Sequence, residues 1–155
     1  MSSKAYSKIV VAVDGSSTSD LALQEAIRVA SSGSSVLALY VVDNGVMLFD
    51  AGFYDPTQIE RAYLESGKKA LEAAGRVLGA AGVKFETRLV TDPAVIGDIA
   101  GSINAAASEW GGDLLVIGTH GRRGVRRLVL GSVAEAVIRQ STMPVLLVRG
   151  KEADA

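Results

Sequence analysis

Gly118 and Gly121 stand just behind one apolar run, and Gly131-Ser132 opens the next helical segment. Glycines permit positive φ and leave backbone N–H groups uncovered, so an oxyanion can approach the main chain. A helix opening at Ser132 adds unpaired amides and the positive end of its dipole. Arg122, Arg123, Arg126 and Arg127 lie between these glycines. Their charge suits a phosphate, although a basic loop is more often simply solvated. The chemistry this pattern offers is non-covalent capture of a phosphate tail.

The neighbouring polar residues have plainer readings as well. Glu135 follows Ser132 by three residues, which makes a capping box, and the same hydroxyl could serve cap and phosphate. His120 is the chain's one histidine, and no serine nucleophile stands at a recognisable spacing from it. It therefore reads as shaping a turn rather than as a general base. Asp14, at the end of the first apolar run, would repel phosphates unless it met a ribose hydroxyl or a metal ion, and the ribose role is the preferred one. Neither G-x-x-x-x-G-K-S/T nor G-x-G-x-x-G occurs, so the cradle is not a P-loop or a Rossmann fingerprint.

Five short apolar runs position these residues: 8–13, 36–42, 84–90, 113–117 and 145–148. The third alternates polar with apolar and reads as half exposed. The others are nearly continuous, as expected of parallel strands covered on both faces. Helical patterning fills the gaps. Ser16 to Ser32 carries Leu23, Ala26, Ile27 and Ala30 on one stripe, with Ser17 and Asp20 as a capping box. Pro56 to Ala81 carries Ile59, Tyr63, Ala70, Ala74, Val77 and Leu78. Asp92 caps and Pro93 starts a third helix, with Ile96, Ile99, Ala100, Ile103 and Ala107 inward and Gly111-Gly112 at its end. Ser132 to Gln140 is the fourth. The β-α alternation with right-handed crossovers gives an α/β doubly wound open sheet of parallel strands with helices on both faces. Such sheets bind ligands beyond the carboxyl ends of their strands. The segment 43–55 is long for a βα connection, and its cluster Val46 to Phe49 with Phe53-Tyr54 reads as a flap, a loop folded on the core or a dimer surface.

Composition narrows the function classes. With 155 residues and 48% hydrophobic side chains, the chain reads as a single domain, 1–155, with its core at 8–149. No cysteine removes thiolate metal sites and thiol nucleophiles. A net charge of −1 argues against nonspecific binding along nucleic acid. The N-terminus shows no apolar signal core and no apolar run reaches the ~18 residues of a membrane span, so a cytoplasmic location without membrane contact is expected.

The spacing Gly118-x-x-Gly121, nine residues, then Gly131-Ser132 resembles the nucleotide motif of the universal stress protein family, in its ATP-binding branch. The starting segment from Ile9 to Ser16 and the closing segment from Pro144 to Arg149 resemble the family's first and last strands. The resemblance implies five parallel strands in the order 3-2-1-4-5, with Asp14 beside Gly118. It implies that Ala12, Asp14 and Val41 surround adenine and ribose, with Ile117 and Gly118 continuing that wall. Gly121, Gly131, Ser132 and Val133 would hold the phosphates through backbone N–H groups and the Ser132 hydroxyl. It also implies ATP as ligand with Mg or Mn, and a homodimer through Val145 to Val148, which would cover an apolar edge. The expected function is that of a nucleotide-dependent stress-response or regulatory binding module. The alternative is a slow metal-dependent ATPase or related nucleotide-using enzyme holding its ion on Asp14.

Overall fold

The computed structural model describes residues 5–43, 55–91, 98–120 and 130–150. In chain order the elements are β1 (Lys8–Ala12), α1 (Ser17–Val29), β2 (Ser35–Val41), α2 (Pro56–Ala80), β3 (Lys84–Val90), α3 (Ile99–Trp110), β4 (Leu114–Gly118), α4 (Ser132–Gln140) and β5 (Val145–Val148). The strands form one sheet in the order β3-β2-β1-β4-β5, every pairing parallel. This is the doubly wound α/β architecture expected from the alternation of runs and helices.

Strand periodicity splits the core into two layers. From β1, Ile9 and Val11 face α1 and α2, where they meet Ala22, Leu23, Leu71 and Leu78. Val10 faces the opposite way, with Leu37, Leu115, Ile103 and Val137 against α3 and α4. Central strands are therefore buried on both sides, which is why their sequences lack alternation. The edge strands differ. In β3, residues 84–87 are exposed, and in β5 Val145, Leu146 and Leu147 are only half-buried. The continuous apolar run of β5 thus belongs to a sheet edge, a correction to its reading as a strand covered like the centre.

Several element ends depart from expectation, each for a local polar reason. In α1 the cap is Ser16, whose side chain accepts from the Ser19 N–H, so the box of Ser17 with Asp20 does not form. Asp14 Oδ1 takes the Ser16 N–H at 2.9 Å and turns the chain early enough for Ser17 to be helical. That helix stops at Val29, short of Ser32, because Ser34 turns the chain by accepting the Ser31 N–H and donating its own to the Ser31 carbonyl. The third helix begins at Ile99, since Asp98 is non-helical and its carboxylate accepts the Gly101 N–H at 2.9 Å. The expected cap and start at Asp92 and Pro93, and Ile96, lie outside the described residues. The segment 113–117 loses its first residue because the Asp113 carboxylate accepts the Ser7 and Lys8 N–H groups, tying β1 to the start of β4. Among the described residues, no helix is long and apolar enough to cross a membrane.

Candidate functional site

At the carboxyl ends of β1, β2 and β4 the sheet opens into a cavity of about 640 Å³. Register explains its apolar wall. Ala12 pairs with Leu39, and the pairing of Val11 with Val116 sets Ala12 beside Ile117. Val41 stands two residues beyond Leu39, on the same face. Ala12, Leu39, Val41 and Ile117 therefore point to the α3 and α4 side, where Ile99, Ile103 and Val133 complete the wall. Ala12 is the smallest of them, and its missing side-chain bulk leaves a slot between Leu39 and Ile117.

The polar end is built from the chain beyond β1 and β4 and from the start of α4. Asp14 lines it, with Oδ1 committed to the Ser16 N–H and its own N–H donated to Ser19 Oγ at 3.3 Å. Gly118 ends β4, Thr119 and His120 continue past it, and Gly131, Ser132 and Val133 line the same end. Two hydrogen bonds fix Thr119. Its N–H donates to the Val148 carbonyl at 2.9 Å, and its carbonyl accepts the Gly131 N–H at 2.7 Å. The second clamps the end of β4 to the start of α4.

This clamp changes two expectations. Gly131, not Ser132, is the N-cap residue, and no side chain caps α4. The Ser132–Glu135 box is therefore absent. Ser132 is already the first helical residue and is exposed, and Glu135 pairs instead with Arg139. The Gly131 N–H, expected on a phosphate, is spent on Thr119. The amides of Ser132, Val133 and Ala134 remain as the first of the helix, where no intrahelical partner exists. Together with the dipole they make the start of α4 favourable to an anion.

The glycines also prove to have structural work of their own. Neither Gly118 nor Gly131 has positive φ. A Cβ on Gly131 would lie 2.7 Å from the Thr119 carbonyl oxygen, so a side chain would force the clamp apart. A Cβ on Gly118 would lie 2.5 Å from Thr18 Cγ2, where α1 presses on β4. Both admit close approach of protein to protein.

The structure thus gathers Ala12, Asp14, Val41 and Ile117 with Gly118, Gly131, Ser132 and Val133 in one cavity. Gly121, the four arginines from Arg122 to Arg127 and the cluster from Val46 to Tyr54 lie outside the described residues. Sequence reasoning missed Tyr40, Asp43, Tyr63 and Thr119, all of which line the cavity. Tyr63 sits on the apolar stripe of α2 and resembles any core residue. Asp43 had one signal, its place at the end of β2 matching that of Asp14 at the end of β1. Among the described lining residues the carboxylates are Asp14 and Asp43, with no lysine or arginine. Nor do the described residues hold any group of three His, Cys, Asp or Glu side chains suited to a metal ion.

Comparison with known proteins places this geometry in a family. Residues 5–149 match the model of the universal stress protein family. Universal stress protein MJ0531 of Methanocaldococcus jannaschii is 37% identical over 147 residues, covering 93% of this chain and 82% of that protein. The solved structure of MJ0577, from the same organism, superposes with a TM-score of 0.83 at 27% identity, covering 96% and 99% of the two chains. A universal stress protein solved in complex with cAMP superposes with a TM-score of 0.63 at 27% identity, covering 94% and 98%. On the match across nearly its whole length, the chain belongs to the universal stress protein family.

Proposed function

We propose that the cavity binds an adenine nucleotide, with ATP as the full ligand, and that the chain is a nucleotide-dependent stress-response module. One observation carries the reading: an apolar wall around Ala12 and a helix start with unpaired amides open into the same cavity. A purine would lie between Ala12, Leu39 and Val41 on one side and Ile117 with Ile103 on the other. Asp14, which lines the polar end of the cavity, would accept from a ribose hydroxyl. The amides of Ser132 and Val133 and the exposed Ser132 hydroxyl would take the phosphates, with Gly121 from the following segment. Gly118 and Gly131 would serve by being small. The related protein solved with cAMP supports an adenine nucleotide as the ligand class.

A divalent ion such as Mg or Mn would offset charge on the phosphate tail. With no ready-made cluster among the described residues, it would be carried by the nucleotide's own oxygens, as hard cations commonly are. The signal is then a nucleotide-dependent conformation or choice of partner. The chain acts as one domain in the cytoplasm and pairs through the β5 edge, where half-buried Val145, Leu146 and Leu147 gain cover from a second copy.

Mass spectrometry of ligand carried through purification, followed by calorimetric titration with ATP, ADP and AMP, tests the reading. Saturable binding that Ala12→Leu abolishes in a folded protein is expected. Absence of adenine nucleotide binding at millimolar ligand overturns it.

A further inference from the structure

The two edges of the sheet are built differently. β5 is short and apolar, whereas β3 runs for seven residues, Lys84–Val90, and its first four are exposed. Among the described residues β3 pairs with β2 alone, so one row of its backbone N–H and C=O groups faces outward. An edge of that length is a template for another strand unless its side chains forbid it.

Here the side chains complement themselves. Outward from Thr87, each direction gives a charge and then an apolar residue: Glu86 and Phe85 one way, Arg88 and Leu89 the other. The two charges have opposite signs. A second β3 laid antiparallel about a two-fold axis at Thr87 sets Glu86 against Arg88 twice, Phe85 against Leu89 twice, and Thr87 against its own mate. Lys84 falls opposite Val90, so no like charges stand directly opposite each other. The sheet faces agree. Glu86 and Arg88 stand beside Leu37 and Leu39 on the α3 and α4 side, and Phe85 and Leu89 beside Val36 and Tyr40 on the α1 and α2 side. The charge pairs therefore line one side and the apolar pairs the other. Capacity is there as well. The ion pairs among the described residues are Arg28–Glu25 and Arg139–Glu135, so Arg88 has none. Glu86 Oε2 accepts the Trp110 Nε1–H at 2.8 Å, and the carboxylate retains its second oxygen. Phe85 is 40% exposed.

We propose that β3 is a docking edge for the β3 strand of a second copy of this chain, antiparallel and centred on Thr87. The proposal is independent of the nucleotide reading. One strand pair is a small interface, so the contact is weak and salt-sensitive. It forms at millimolar protein, above the concentrations that fill the β5 edge. A copy held at both edges then extends the sheet beyond a dimer.

The chain has no cysteine, so one introduced thiol reads the register directly. Opposed Cα atoms in an antiparallel pair lie about 4.5–5.5 Å apart, within disulfide reach. Thr87→Cys in the full chain at millimolar concentration should oxidise to a disulfide dimer at least about tenfold faster than Lys84→Cys, whose own mate lies about 20 Å along the strand. Both rates are normalised to reaction with glutathione disulfide. In sedimentation at the same concentration, Arg88→Glu and Glu86→Arg should each lose the species beyond the β5-paired state. Mixing these two variants should restore it, because opposite charges again face each other, and a mere folding defect would not be rescued. Equal oxidation rates for the two cysteine variants overturn the proposal. A mixture that associates no better than its components overturns it too. So does a wild-type β3 edge that stays unpaired at millimolar protein, which would make its charges guards against pairing.

Discussion

The substitution Gly118→Ala separates two explanations of the glycine at the end of β4. If the residue is glycine to admit a ligand, an added methyl should damage binding and spare the fold. The structure predicts the reverse. The new Cβ would stand 2.5 Å from Thr18 Cγ2, 3.3 Å from Thr18 Cβ and 3.4 Å from the Thr18 carbonyl oxygen. Overpacking of this kind costs about 1–3 kcal/mol. Thr18→Ser removes the clashing methyl and keeps the hydroxyl that sits near Gly150, at a cost of about 1 kcal/mol for one buried methyl. Two independent effects would sum to about 2–4 kcal/mol, yet the double variant should lose only about 1 kcal/mol, a coupling of about 1–3 kcal/mol. Urea unfolding followed by the fluorescence of the lone tryptophan, Trp110, measures all four proteins. The double variant should also bind AMP within about twofold of wild type. If Thr18→Ser fails to relieve Gly118→Ala, or the stable double variant no longer binds AMP, the packing explanation is wrong.

Other expectations follow from the same geometry. Ser132→Ala should leave stability within about 0.5 kcal/mol in urea unfolding, because no side chain caps α4, whereas a true N-cap would cost ~1 kcal/mol. The same variant should weaken AMP binding severalfold by calorimetry. Asp98→Ala removes a working cap from α3 and should cost about 1 kcal/mol in the same unfolding assay. Ala12→Leu should abolish nucleotide binding while circular dichroism stays native, since the slot beside Ile117 would be filled. Sedimentation equilibrium of the wild-type chain should give twice the chain mass, and a monomer at high micromolar concentration would remove the β5 edge as the pairing surface.

The sequence made the layers of this fold legible because every strand run but the third is nearly pure Val, Leu, Ile and Ala, and each helix carries a clear stripe. It was less informative at the ends of elements, where one tertiary hydrogen bond decides the outcome. Ser132 with Glu135 is a sound capping box on local grounds. The box fails because Gly131 is drawn onto the carbonyl of Thr119, a contact between residues that are distant in sequence and meet only in the folded sheet. Ser16 displaced Ser17 as a cap for a local reason, the Asp14 carboxylate two residues back taking the Ser16 N–H. The cavity was half legible. Asp14 and the glycine-serine pair stood out by type and spacing. Ile99, Ile103 and Tyr63 were read as helix core, correctly, but the same side chains also face a cavity that no periodicity reveals. Their second role depends on Ala12 being small and on where the strands end.

A methyl-resolved NMR titration with AMP tests nucleotide capture at the strand ends most directly. The methyl groups of Ala12, Val41, Ile117 and Val133 should shift together along one saturable curve, while Leu78 of α2, buried on the opposite face of the sheet, stays still. Methyl groups that remain unmoved at millimolar AMP, or shifts centred away from these four residues, would contradict it.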